Sequence, residues 1–286
     1  VLDKSIESLI KTVNHDITNI TLINNSSSSK AELIVKKYSE YIDKYVCYNT
    51  NKGKVNAVLN EARSVYEEFV TITDADILFY SGWEHETFKL FKDFKNVGAV
   101  SPYPCPYLTF YCNKSSFGYN SFLNKIKYGK YVDDEDIDLY LRGTNLPNLI
   151  NRNTKHNWKE KQFIIEEKNN KAVVGSYHVV GTYRSLIFKN ETIYPELIFK
   201  NSYEELFIDC LADQKGLSKL STLKSYIYHI GNHIDEIVEQ HKYENFKKID
   251  KDFFSNIKPL TSINKIIVYL NRTLGFLYCK YKWKKK

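Results

Sequence analysis

Apolar positions recur at helical spacing over residues 2–13, where Leu2, Ile6, Leu9, Ile10 and Val13 fall on one face. The period then changes. Residues 20–25 (ITLINN) are a short apolar run ending in polar side chains, as a strand buried on both faces does. A serine run, Ser26 to Ser29, leads into a second helix at 30–42. The sequence then predicts a strand at 45–49 (YVCYN), a helix at 51–65 and a strand at 69–73 (FVTIT) that stops at Asp74-Ala75-Asp76. A helix at 82–94 and a strand at 97–102 complete the first hundred residues.

This strand-helix-strand alternation predicts an α/β fold, a parallel sheet with helices on both faces. In such sheets ligands gather at the carboxyl ends of the strands. Three of those ends are polar: Asn24-Asn25-Ser26, the stretch 49–54, and Asp74-Ala75-Asp76. From 103 to 170 the pattern fades. SPYPCPY is rich in proline and aromatics, DDEDID (133–138) is an acidic run, and NLPNLINRNTKHNW is loop-like. The stretch reads as an excursion over the active edge, with a plain solvated loop as the alternative. Residues 171–188 return as two strand-like segments. Residues 203–216 form a helix capped by Gly216, and 224–232 a last strand ending at His229. Residues 1–232 thus read as one domain, and 233–286 as a C-terminal helical extension whose last segment, 263–286, is an apolar helix with a basic tail.

Composition narrows the classes. The chain has 286 residues, 43% hydrophobic and 26% charged, which excludes a disordered segment. No apolar run approaches the length of a membrane span. The formal charge of +7 rests on scattered lysines, with arginine only at 63, 142, 152, 184 and 272, so no basic stripe suggests nucleic acid as a partner. Five cysteines without a C-x-x-C pair argue against a disulfide framework or a zinc knuckle and fit a reducing cytoplasm. The chain opens on Val1 inside a helix and contains no methionine, and so reads as a fragment or as a chain from which some residues are missing.

Asp74 and Asp76 place two carboxylates at a strand end, the usual way to hold a hard cation whose remaining ligands are phosphates and water. The same spacing recurs at Asp134/Asp136 and Asp136/Asp138, where a charged loop makes solvated surface the better reading. The Asn-Gly-Lys loop at 51–54 enters a helix and offers backbone N–H groups with Lys54, suited to a nucleotide or its phosphates. An ordinary helix start is the alternative. His229 can serve as a third, imidazole ligand, which suits Mn2+. His178 and His233 are weaker candidates for that place.

These segments together resemble the family 2 type of GT-A glycosyltransferases, well over residues 1–102 and loosely over 171–232. The resemblance implies a Rossmann-like mixed or mostly parallel sheet flanked by helices. It also implies a family first strand, absent here, just before Val1. Asn24 and Asn25 stand where the family has an acidic or amide pair that contacts the nucleoside. Gly53, Lys54 and Asn60 match its glycine-lysine helix start. Asp74 and Asp76 match the D-x-D whose metal, Mn2+ or Mg2+, bridges the nucleotide-sugar diphosphate, and His229 matches the late histidine. The family's base-bearing E-D pair is blurred: Asp209 and Glu205 are the leading candidates for the base, followed by Asp213.

The implied reaction is inverting transfer of a sugar from a nucleotide-diphosphate sugar to an acceptor hydroxyl, carbohydrate or lipid-linked, in cell-surface polysaccharide or glycolipid synthesis. Arg184 is read either as a cation near the phosphates or as a structural ion pair. Tyr103, Tyr107 and Trp158 are candidates for stacking on a sugar, with core packing as the alternative. The C-terminal lysines beside Trp283 suggest a cytoplasmic protein touching the inner face of the membrane, against a plainly packed terminal helix. A sugar-phosphate nucleotidyltransferase and a non-catalytic carbohydrate-binding relative are the rival readings.

Overall fold

The computed structural model describes residues 1–144, 157–189, 204–246, 248–261 and 264–282. The alternation read from the first hundred residues is present: α1 (Leu2–Thr12), β1 (Thr21–Asn25), α2 (Ser29–Lys37), β2 (Lys44–Tyr48), α3 (Lys54–Ser64), β3 (Phe69–Thr73), β4 (Ile77–Phe79), α4 (Trp83–Asp93) and β5 (Val97–Ser101). β1 and β2, joined by the α2 crossover, pair in parallel from Thr21↔Lys44 to Asn25↔Tyr48.

The stretch 103–170, expected as an excursion, instead contributes regular elements: α5 (Lys114–Phe122), β6 (Ile126–Gly129), α6 (Asp134–Thr144) and β7 (Gln162–Glu167). β8 (Asn170–Val174), β9 (Val180–Arg184), a π-helical turn (Glu205–Asp209), α7 (Leu211–Gln214), β10 (Ser218–Ser221) and β11 (Ile227–His229) follow. The seven-stranded central sheet has the order β3-β9-β5-β10-β8-β7-β6. It is mixed. β10 runs parallel to β5, whereas β9 is antiparallel to both β3 and β5. β6, β7 and β8 pair antiparallel: the two-residue connection 168–169 makes β7 and β8 a hairpin with no room for a crossover, whereas the chain passes from β6 to β7 through the stretch that carries α6. Residues 145–156, most of the stretch read as loop-like, lie outside the described residues.

The acidic run read as a solvated loop is the first turn of α6. Asp134, Glu135 and Asp136 sit where the helix dipole favours negative charge, and Ile137 and Leu141, one turn apart, are buried. Asp136 is not idle surface either: its carboxylate accepts the Ser225 N–H at 2.6 Å and so ties α6 to the approach to β11. Gly143, on the same helix, lies so close to β11 that a Cβ there would meet the His229 carbonyl at 2.6 Å.

Val55, Leu59 and Ala62 of α3 pack with Ile72, Ala99, Tyr183, Ile208 and Leu211 in one apolar cluster. A second joins Phe88 and Phe91 of α4 to Phe117, Phe163, Val174 and Leu220. A third, with Val13, Ile77, Phe79, Trp83, Val180 and Ile227, lies under β4 and β11. Arg184 belongs to the sheet's structure rather than to any phosphate site. It is buried at 2% exposure, bonds Glu68 and the carbonyls of Val97 and Lys258, and pairs in register with Phe69, at the opposite end of β3 from Asp74. Cys112 and Cys210 form a disulfide with their Cα atoms 5.1 Å apart. At a sequence separation of 98, the pair has no local spacing by which the sequence could announce it.

Past β11 come α8 (Glu236–Gln240), α9 (Lys251–Ser255) and α10 (Lys265–Tyr281). α10, the apolar helix of the sequence, folds back onto α5. Gly275 lets the two backbones meet, since a Cβ there would fall 1.6 Å from the Lys114 carbonyl. Buried Asn271 donates to the carbonyls of Ser115 and Gly216 and accepts the Tyr119 N–H at 2.8 Å. Its outer side still exposes Ile266, Tyr269 and Leu270. Trp283 and the terminal lysines 284–286 lie outside the described residues, and among those described no helix is long and apolar enough to cross a membrane.

Asn271→Leu removes all three bonds at a buried contact and is expected to lower the free energy of unfolding by about 1–3 kcal/mol. Denaturant titration checks this. A loss within error of zero would mean that α10 is not held by this residue.

Candidate active site

The site grows from a turn and a strand pairing. β3 ends at Thr73, and Asp74, Ala75 and Asp76 form the turn into β4. The Asp74 N–H donates to the Val179 carbonyl at 3.0 Å, fixing the turn to the start of β9. β4 then pairs antiparallel with β11 in the register Ile227↔Phe79, Tyr228↔Leu78 and His229↔Ile77, and the Ile230 N–H donates to the Asp76 carbonyl at 2.7 Å. This register carries His229 across 153 residues of chain to Asp76, with Nε2 3.1 Å from the carboxylate.

Asp74, Asp76 and His229 each present a ligand atom within 4.8 Å of the others, and all three are half-buried. The hydrogen bond to Asp76 raises the His229 pKa above its ordinary value of 6.5, outweighing desolvation, with Coulomb attraction to Asp76 and Asp74 acting the same way. The other ring nitrogen, Nδ1, is buried and has no hydrogen-bond partner among the described residues. Two carboxylates and an imidazole make a donor set suited to Mn2+, and the carboxylates alone suit Mg2+.

Lys54 opens α3 and forms an ion pair with Asp74. Gly53, its N-cap, takes φ 76°. Asn25 and Asn51 knit the end of β1 to this loop: Asn25 donates to Asn51 at 3.0 Å and accepts the Lys52 N–H at 2.8 Å, while Asn51 accepts the Gly53 N–H at 2.8 Å. Asn24 is buried, accepts the Ser27 N–H and donates to the Tyr45 hydroxyl. Asn60 lies further along α3 and donates to the Tyr48 hydroxyl at 3.2 Å. The three polar strand ends of the sequence reading therefore do converge, linked by Asn25, Asn51, Lys54 and Asp74.

Asp209 stands at the end of the π-helical turn, fully buried. One carboxylate oxygen lies 2.7 Å from Nδ1 of His178, and the other has no hydrogen-bond partner among the described residues. His178 is half-buried and immediately precedes Val179, the residue that holds the Asp74 turn. The sequence weighed His178 only as a third metal ligand. Its pairing with Asp209 had no local signal, because the two are 31 residues apart on different elements. The Glu205 side chain lies outside the described residues. Asp213 faces away from this site: it accepts the Ser115 N–H at 2.6 Å and pairs with Arg272. His233 is exposed and takes no part in the triad. Of the aromatic candidates, Tyr103 and Tyr107 line a cavity beside His229, whereas Trp158 packs in the core with Val132 and Ile137.

Residues 1–142 match the family model described as glycosyl transferase family 2. The match spans Asn24, Asn25, Gly53, Lys54, Asp74 and Asp76, and stops before His178, Asp209 and His229. No curated protein matches the chain. Among solved structures, the mannosyltransferase PcManGT from Pyrobaculum calidifontis, in complex with GDP-Man and Mn2+, is similar at 15% identity and a TM-score of 0.44, over 77% of this chain and 50% of that one. S. aureus TarS 1-349 is similar at 14% identity and a TM-score of 0.45, over 79% of this chain and 56% of that one. The chain thus spans about half the length of each. With its D-x-D turn and glycine-lysine helix start inside the matched stretch, the segment 1–142 belongs to glycosyl transferase family 2, an enzyme family of glycosyl transfer.

Proposed function

We propose that the protein transfers a sugar from a nucleotide-diphosphate sugar to an acceptor hydroxyl, with a divalent metal and with inversion at the anomeric carbon. The observation that carries this reading is the convergence of Asp74, Asp76 and His229 beside Lys54. Asp76, Asp74 and His229 would hold the metal, Mn2+ or Mg2+, with His229 contributing Nε2, the ring nitrogen that faces Asp76. When bound, such a cation offsets charge on a diphosphate leaving group. Lys54 adds a second positive charge from the helix start, and the backbone N–H groups at the beginning of α3 suit phosphate oxygens. Asn24 and Asn25 border the loop on the nucleoside side.

The base function falls to Asp209 together with His178. A fully buried carboxylate has no open path to an acceptor, but it holds the imidazole through Nδ1 and leaves Nε2 to act. As the acceptor oxygen bonds to the anomeric carbon, its proton passes to His178 Nε2, and the bond to the diphosphate oxygen breaks with its electron pair leaving on the diphosphate. Asp209 stabilises the imidazolium so formed.

Three measurements test this. Nucleoside diphosphate release from a panel of nucleotide sugars with Mn2+ is expected for the wild type, and Asp76→Ala should abolish it; release that survives the substitution removes the metal assignment. His178→Ala should lower kcat by about 10²–10⁴-fold, with Asp209→Asn close behind. An unchanged kcat in His178→Ala would exclude the His178–Asp209 pair as the base. Metal binding needs neutral His229, whose proton is held above the ordinary pKa by Asp76. Mn2+ affinity should therefore climb as pH rises through that raised pKa and level off beyond it. Calorimetry between about pH 6 and pH 8 reads this, and an equal slope in His229→Ala would show that the histidine is not a ligand.

A further inference from the structure

α10 has two faces of opposite character. Asn271 and Gly275, one turn apart, are buried against α5. On the opposite side Ile266, Leu270, Leu277 and Tyr281 recur at helical spacing, and every one of them is exposed. Tyr269, 70% exposed, and Phe276 widen this apolar side toward one flank. Lys265 and Lys280 stand exposed near its two ends. The surface continues onto α5. Antiparallel packing sets Lys114 against Gly275 and Gly118 against Asn271. One turn further along α5, the same register brings Phe122, 78% exposed, to the level of Ile267.

The flank of α10 is cationic. An open groove of about 670 Å3 there is lined by Lys114, Lys215, Lys265 and Arg272, with Tyr269 and Phe276 as its apolar rim. The Lys114 ammonium lies 5.3 Å from the centroid of the Phe276 ring, so charge and apolar surface adjoin. No acidic side chain among the described residues lines the groove. Asp213, behind it, is 3% exposed and already engages Arg272 and the Ser115 N–H. The sequence shows why positive charge collects here. Residues 253–286, which contain α10, hold eight Lys or Arg and no Asp or Glu. Residues 94–132, which contain α5, hold five lysines and again no acid. Lysines that look scattered along the chain are thus gathered by folding beside an exposed apolar helix face.

This pairing selects the partner. A second copy seated about a two-fold axis would set the cationic flank against itself. A nucleic acid would meet the cations but leave Ile266, Leu270 and Leu277 in water. An anionic bilayer surface satisfies both, since phosphates lie at the level of the lysines and acyl chains just below. We propose that this side of the molecule docks on an anionic lipid surface. α10 lies in the plane of the interface, with its apolar side at the acyl boundary and lipid phosphates in the groove of Lys114, Lys265 and Arg272. The contact is peripheral: α10 has 17 residues, and no described helix is long and apolar enough to cross a membrane. The proposal goes beyond the transfer reading and does not depend on it.

The test is flotation of the full chain with vesicles of phosphatidylcholine alone and of phosphatidylcholine mixed with phosphatidylglycerol. Binding to the mixed vesicles and not to the neutral ones is expected, weakening as salt screens the lysines. Lys114→Ala with Lys265→Ala should lower partitioning about tenfold to thirtyfold. Ile266→Ser with Tyr269→Ser should lower it about tenfold. All four side chains are exposed, so both double variants should unfold at the wild-type temperature. Three results would each overturn the proposal: no binding to the mixed vesicles, equal binding to the neutral ones, or unchanged binding in either double variant. A wild-type dimer in light scattering that Ile266→Ser with Tyr269→Ser converts to a monomer would also overturn it, assigning the face to a second copy. Nucleoside diphosphate release, present or absent, leaves this outcome unchanged.

Discussion

Everything at the site depends on the three-residue ladder between β4 and β11. β4 begins immediately after the D-x-D turn, so whatever pairs with it is held against Asp76. A slip of one residue in this register would turn the His229 side chain to the other face of the strand. Several neighbours guard against such a slip. Ile77 and Phe79 are buried in the cluster with Ile227, the Ile230 N–H bonds the Asp76 carbonyl, and Asp136 holds Ser225 just upstream. Gly143 closes the position from above, because no larger residue fits between α6 and the His229 backbone.

The central sheet supports this ladder from one side only. β3 delivers the aspartates at its carboxyl end, and β9, antiparallel to it, starts beside them at Val180 and finishes beside Phe69. Antiparallel β9 therefore brings its entry, Tyr177 to Val179, to the active edge. That single reversal explains why His178 reaches the site while Arg184, on the same strand, lies at its far end among Phe69, Phe91 and Glu68. A parallel strand would have exchanged the two.

Much of this was legible in the residues themselves. The run FVTIT followed by two carboxylates marked a strand end with charge to spare, and YIYH marked a second. What failed was legibility of partners. DDEDID reads as surface because five of its six positions are acidic, yet the acids suit a first helical turn and Ile137 with Leu141 supply its buried face. His178 carried no local pattern; its meaning comes from Asp209, placed against it only by the sheet. Trp158 and Tyr140 show the same limit from the other side. Both lie where the hydrophobic period of the sequence fades, and only packing decides that one fills the core while the other, on α6, faces a cavity.

The sequence separation of 153 from Asp76 to His229 also sets an order in time. On the ribosome the D-x-D turn emerges long before its histidine, and the triad is absent from every nascent chain that ends before residue 229. Closing so long a loop is slow rather than prohibitive, since its entropic cost grows only by about 0.6 kcal/mol for each doubling of length. The aspartates therefore wait on an edge strand until the late ladder forms. Assembly of the three side chains then follows the pairing of β4 with β11, and does not precede it.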